Sequence, residues 1–244
     1  APAVTSPLNV CQNAPSGALT ASGSALRWYT AASGGAGSTT APTPSTATVG
    51  TTPFYVSQTV NGCESPRSQL DVVVKSLPAA PGVSSPIAYC IGVAATPLTA
   101  TGTALRWYTS ASGGAGSATA PTPSTASAGT TLFYVSQTVD ACEGPRSSIS
   151  VVVNQTPIPT VSTPIEYCVG QTPAVLSATG TSLRWYTTPT GGTASTTAPT
   201  PTTSAAGTTN YYVTSTANNC ESGRALIQVV VKTVPAPPTT SSVT

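Results

Sequence analysis

One block of sequence occurs three times in this chain. Leu26-Arg27-Trp28-Tyr29-Thr30 returns as Leu105-Arg106-Trp107-Tyr108-Thr109 and again as Leu183-Arg184-Trp185-Tyr186-Thr187, at offsets of 79 and 78 residues. Ala-Pro-Thr-Pro recurs at Ala41, Ala120 and Ala198, and Gly-Thr-Thr at Gly50, Gly129 and Gly207, each followed by an aromatic-Tyr-Val run. Such a period is too long for the common helical solenoid units and suits one small autonomous domain per repeat. The boundaries fall in proline-rich joints: Leu77-Pro78-Ala79-Ala80-Pro81, Pro157-Ile158-Pro159 and Val234-Pro235-Ala236-Pro237-Pro238. They delimit repeats at 1–77, 78–156 and 157–234. The tail, 235–244, is in phase with the start of repeat 2 and reads as the opening of a fourth repeat, so the parent protein is expected to continue.

Inside a repeat the pattern is that of strands. Leu70, Val72 and Val74 alternate with Asp71, Val73 and Lys75, a period of two with one apolar face. Phe54, Val56 and Val60 alternate with Tyr55, Ser57 and Thr59 in the same way. On the tryptophan strand, Leu26 and Trp28 share one face while Arg27 and Tyr29 share the other. Asn61-Gly62 is a hairpin signal, and Gly34-Gly35 marks a turn after the tryptophan strand. Nothing has helical periodicity. Short strands and frequent turns, with 45 Gly and Pro residues in all, predict antiparallel β-sandwiches. Trp28, Trp107 and Trp185, opposite the arginine face, are the expected core residues.

Six cysteines fall two per repeat: Cys11 and Cys63, Cys90 and Cys142, Cys168 and Cys220, always 52 residues apart. An even count at fixed spacing, in a chain without His, reads as disulfides rather than zinc ligands or catalytic thiols. Pairing within each repeat is the expectation, with pairing between repeats as the main alternative. Closing a 52-residue loop removes on the order of 4 kcal/mol of unfolded-state entropy in the chain-entropy model. Such bonds require an oxidising compartment, so the chain is expected to be exported and extracellular.

The order Cys, Trp, aromatic-Tyr-Val, Cys resembles the immunoglobulin pattern. It departs from antibody domains in one respect: Asn61, Asp140 and Asn218 stand two residues before the second cysteine, where those domains have Tyr. The second cysteine is therefore expected at the hairpin turn, outside the strand proper. At closer range Tyr89-Cys90-Ile91-Gly92, Arg106-Trp107-Tyr108, Thr130-Thr131-Leu132-Phe133-Tyr134-Val135, Cys142-Glu143-Gly144-Pro145-Arg146 and Val151-Val152-Val153 are similar to bacterial immunoglobulin-like repeats. These occur in giant cell-surface adhesins of gliding Bacteroidota and in exported multidomain proteins of that phylum. The resemblance implies export by the pathway those adhesins use, and a role as a stalk or filament segment of a secreted surface adhesin. The alternative it leaves open is a set of carbohydrate- or protein-binding modules attached to an exported multidomain enzyme.

Composition narrows the function classes. Eight basic and six acidic residues, scattered at repeat-related positions, make no patch for nucleic acid. No apolar run is long enough for a membrane helix, so no direct membrane insertion is expected. No basic-then-apolar leader opens the chain, and an export signal is expected outside this stretch or already removed. Carboxylates show no repeated pairing suited to catalysis or calcium, so neither enzymatic activity nor a cofactor or metal is expected. Arg27 and Tyr29, Arg106 and Tyr108, and Arg184 and Tyr186 form a candidate contact face, with an ordinary solvated sheet face as the plainer reading. Glu-x-x-Arg after each second cysteine reads as a local ion pair or turn contact. The expected partners are neighbouring repeats and identical chains in a filament.

The joints carry prolines and no Gly-Ser runs, so the three domains are expected to lie end to end as a rod. At about 3.3 Å per strand residue, each sandwich is roughly 30 Å long and the array about 100–130 Å. Small-angle scattering checks this; a maximum dimension near that of a compact 24.1 kDa globule would refute it.

Overall fold

The computed structural model describes residues 1–238 and is all-β, with three immunoglobulin-like sandwich repeats. The proposed fourth-repeat opening falls largely on residues 239–244, outside the described residues. Repeat 1 supplies the pattern: β1 (Leu8–Cys11), β2 (Arg27–Tyr29), β3 (Gly50–Ser57), β4 (Thr59–Val60), β5 (Cys63–Glu64) and β6 (Ser68–Lys75). A four-stranded sheet in the order β1-β6-β3-β2 forms the main layer, and the other repeats carry sheets of the same order. β2 and β3 run antiparallel with Trp28 opposite Val56, and β3 and β6 antiparallel with Phe54 opposite Leu70.

The sheet is mixed, where an antiparallel one was expected. β1 lies parallel to β6, with Leu8 opposite Val72 and Cys11 opposite Lys75. A parallel neighbour needs a long crossover, which the chain between β1 and β6 provides. The same pairing joins Ile87–Cys90 to Val151–Asn154 and Ile165–Cys168 to Val229–Lys232.

The second layer is built from extended, proline-rich chain with little ladder of its own. Prolines cannot donate, so this segment bonds through carbonyls and hydroxyls. Leu19 N–H donates to Pro42 O at 2.9 Å and Asn13 N–H to Thr46 O at 2.9 Å. Thr46 Oγ1 returns a bond to the Ala14 carbonyl at 2.7 Å, and Ser16 Oγ one to Pro44 O at 2.5 Å. Thr125 and Thr203 repeat the threonine bond to Val93 O and Gln171 O. The Thr/Pro tract is thus a folded layer whose hydroxyls stand in for missing amides.

By contact density the chain divides into two compact units. One comprises Ala1–Pro86, Pro97–Thr122 and Leu132–Ser150; the other Ile87–Thr96, Pro123–Thr131 and the chain from Val151 onward. In the first, Trp28 packs with Leu19, Val56, Leu70, Val72 and Val74. In the second, Trp185 packs with Leu176, Tyr211, Val213, Ile227 and Val229. All three tryptophans are buried.

Ile227 is fully enclosed. Ile227→Ala should cost about 2–5 kcal/mol through lost burial and the cavity it leaves. Denaturant unfolding of the variant checks this, and a loss under about 0.5 kcal/mol, the range of surface substitutions, would contradict the packing described.

Candidate functional site

The cysteine pairing departs from the expected one. Cys11 is bonded to Cys142 and Cys90 to Cys220, with Cα–Cα separations of 5.5 and 5.4 Å. Each bond joins the leading cysteine of one repeat to the trailing cysteine of the next. Cys63 and Cys168 are exposed free thiols. The pairings Cys11–Cys63, Cys90–Cys142 and Cys168–Cys220 are therefore corrected.

The reason lies in β6. Cys11 sits opposite Lys75, at the end of β6 from which the chain leaves the repeat. Cys63 follows the Asn61-Gly62 turn, beyond the Val56–Ser68 end of the β3–β6 ladder. Eight residues of β6 separate those ends by roughly 23 Å, whereas a disulfide spans about 4.4–6.8 Å between Cα atoms. The two cysteines of one repeat cannot meet. The leading cysteine lies where the chain exits and the trailing one where it enters, so the bond forms across a joint.

Polar contacts seat each joint. In the first, Gln137 Nε2 donates to Ala79 O at 2.8 Å. Ser147 Oγ donates to Pro81 O at 2.5 Å, and Lys75 Nζ to Asp140 O at 3.5 Å. A Cβ on Gly144 would lie 2.5 Å from the Pro78 carbonyl oxygen, so glycine there permits the close approach. In the second, buried Thr156 donates from Oγ1 to Cys220 O at 2.7 Å. Cys142 and Cys220 are only 1% and 3% exposed.

The second recurring constellation is a tyrosine held between Glu and Arg. Tyr29 donates its hydroxyl to Glu64 Oε1, which also accepts from Ser57 Oγ at 2.5 Å. Arg67 stacks on the ring, its Cζ 3.3 Å from the centroid, and donates to Ala31 O and Gly34 O at 2.7 and 2.8 Å. Tyr108 with Glu143 and Arg146, and Tyr186 with Glu221 and Arg224, repeat the arrangement. Gly34 and Gly35 both have positive φ (68° and 74°), which turns the loop so that its carbonyls face the guanidinium.

This corrects the proposed contact face. Tyr29, Tyr108 and Tyr186 are buried, while Arg27, Arg106 and Arg184 remain exposed beside them. The loop after Tyr29 returns to bridge Trp28 through Ser38, with N–H to O distances of 2.8 and 2.9 Å, and covers the ring. The stacking partner is the arginine of Glu-x-x-Arg, and that motif makes no direct ion pair; its two charges meet through the tyrosine between them. The one ion pair among the described residues is Lys232–Glu166, exposed, at 2.5 Å. Among those residues no group of His, Cys, Asp and Glu is placed to hold a metal, and no helix is long and apolar enough to cross a membrane.

The hydrogen bonds from Ser57 and then Tyr29 hold the Glu64 carboxyl below its ordinary value; Ser136 and Tyr108 do the same for Glu143, and Thr214 and Tyr186 for Glu221. Conversely, the bond to Glu221 raises the Tyr186 phenol.

The family comparison matches the chain three times, over residues 1–75, 78–154 and 157–233, to the model described as Ig-like domain CHU_C associated. Among solved structures, Sidekick-1 immunoglobulin domains 1–4 align at 14% identity and a TM-score of 0.29, over 93% of this chain and 74% of that one. Mouse Cadherin-23 EC22-24 aligns at 11% identity and a TM-score of 0.28, over 94% and 96% respectively. Likenesses this weak say nothing about what the chain binds or does. No curated protein matches the chain.

Because the three carboxyls sit below their unfolded values, the stability they contribute is complete above the ordinary pH of about 4.5 and lost as pH falls through their folded values. Thermal melts should be flat from pH 7 to 5 and fall in acid. The triple variant Glu64→Gln, Glu143→Gln, Glu221→Gln should melt lower at neutral pH and show a shallower acid decline. An unchanged acid limb would show that these tyrosine clusters do not set it.

Proposed function

The chain belongs to the CHU_C-associated Ig-like domain family, and from that premise we propose that it is a structural spacer, a stalk or filament segment of a large secreted cell-surface adhesin serving attachment or gliding motility. The observation that carries this reading is the pair of disulfides crossing from each repeat to the next. A disulfide inside a domain would stabilise that domain alone. One across a joint fixes how successive domains meet, which matters to a part whose task is to hold others at a distance. The bonds also suit an extracellular location, where thiols are not kept reduced.

The chain in this reading does no chemistry of its own. The recurrent tyrosines, the best sequence candidates for sugar stacking, are spent inside each repeat on Glu and Arg. That argues against the carbohydrate-module alternative. The nearly uncharged surface, rich in Ser and Thr, suits a shaft that touches little along its length.

Two measurements test the proposal. Mild reduction with alkylation should leave tryptophan fluorescence native while broadening the pair-distance distribution in small-angle scattering, because the domains keep their cores and the joints loosen. The oxidised fragment should give no binding on a glycan array. An unchanged distribution after reduction would remove the joint-fixing argument, and specific glycan binding would favour the module reading.

A further inference from the structure

Cys63 and Cys168 sit in the same local structures as the bonded cysteines. Cys63 opens its hairpin strand opposite Val60, as Cys142 does opposite Val139 and Cys220 opposite Ala217. Cys168 ends its strand opposite Lys232, as Cys11 ends β1 opposite Lys75. Yet Cys63 is exposed where Cys142 and Cys220 are buried. Cys142 and Cys220 are met by the leading cysteine and joint of a preceding repeat; among the described residues Cys63 is met by none.

We infer that Cys63 and Cys168 are the two open ends of one disulfide ladder, and that each bonds to the cysteine of an adjoining immunoglobulin-like repeat, Cys63 to one that precedes it and Cys168 to one that follows. The rule seen twice, leading cysteine to the next trailing cysteine, assigns a preceding repeat's leading cysteine to Cys63. It assigns a following repeat's trailing cysteine to Cys168. A second copy of this chain presents both partners, and so serves as the probe of the two ends.

The surrounding sequence fits. The exit Lys232-Thr233-Val234-Pro235-Ala236 matches Lys75-Ser76-Leu77-Pro78-Ala79, whose Lys75 and Ala79 seat the first joint against Asp140 and Gln137. On the receiving side, Gln58 holds the Ser24 amide with Oε1 as Gln137 holds that of Thr103. Its amide nitrogen is thereby turned as that of Gln137 is, toward where an incoming Ala236 carbonyl would lie. Ser65 replaces Gly144, but Ser222 stands at that position in repeat 3, which receives Cys90, so serine is compatible with the bond.

The step is a thiol–disulfide exchange. The two thiols lose two protons and two electrons as the S–S bond forms, and a small-molecule disulfide such as oxidised glutathione takes them and leaves as two thiols. The inference stands on the pairing rule and does not depend on the adhesin reading.

The test uses the oxidised chain with both internal bonds intact, treated with oxidised glutathione, and two single variants carrying tags of different mass. Wild type should form a ladder of multiples of 24.1 kDa on non-reducing gels, with Cys63–Cys168 recovered as a linked peptide. Cys63→Ser and Cys168→Ser alone should not form the ladder. Mixed in equal amounts, they should give heterodimer in about twentyfold excess over either homodimer, tenfold beyond the twofold excess of random pairing and equivalent to 1.4 kcal/mol of preference. A random distribution, no product from alkylatable thiols, a Cys63–Cys168 bond within one chain, or recovery of Cys11–Cys63 would each overturn it.

Discussion

Parallel pairing of the first strand of each repeat with its last sets most of what is particular about this protein. It carries Cys11 to the end of β6 that faces onward along the chain, while the β4–β5 hairpin keeps Cys63 at the other end. Had the first strand run antiparallel to β6, its C-terminal end would have lain beside Ser68, close to the hairpin, and the two cysteines of one repeat would have been neighbours. One choice of strand direction thus decides whether sulfur stabilises single domains or unites them.

The repeats, the strands and the fold class were legible because they rest on local pattern: period-two alternation in Ser68–Lys75, the Asn-Gly turn, and glycine pairs after each Trp-Tyr. The cysteine pairing was not. In a tandem array any consistent rule preserves the spacing, so Cys11–Cys63 and Cys11–Cys142 are equally regular, and only the direction of the first strand beside β6 separates them. The tyrosines misled for a related reason. Alternation places Tyr29 opposite Trp28 and suggests solvent, but a strand can be covered on both faces when its following loop folds back. The recurrence of Gly-Gly with Glu-x-x-Arg was the available signal, since a loop of two left-handed glycines presents carbonyls that a guanidinium can cap.

A chain with only fourteen charged side chains gives six of them to internal work. Glu64, Arg67 and their counterparts bind one tyrosine per repeat, and hydroxyls and amides make up much of the rest of the polar surface. The same hydroxyls complete the second layer, where Thr46, Thr125 and Thr203 bond carbonyls beside prolines that have no amide to give. Serine, threonine and proline enrichment, often a mark of unfolded stalks, here is the means by which an edge segment joins a sandwich without exposing a row of donors to another chain's edge.

The two crossed bonds also change what a single break in the backbone can do. Between the Cys11–Cys142 bond and the Cys90–Cys220 bond run three separate stretches of chain, from 11 to 90, from 90 to 142 and from 142 to 220. They connect the same two junctions in parallel, like three cables between two posts. A protease nick in one stretch, or in two of them, leaves both ends of the protein covalently joined through the third. Bonds confined within each repeat would have left residues 64–89 and 143–167 as single threads, each severable at one cut. Crossing the sulfur bridges makes covalent continuity redundant: no single cut between residues 11 and 220 can part the two ends.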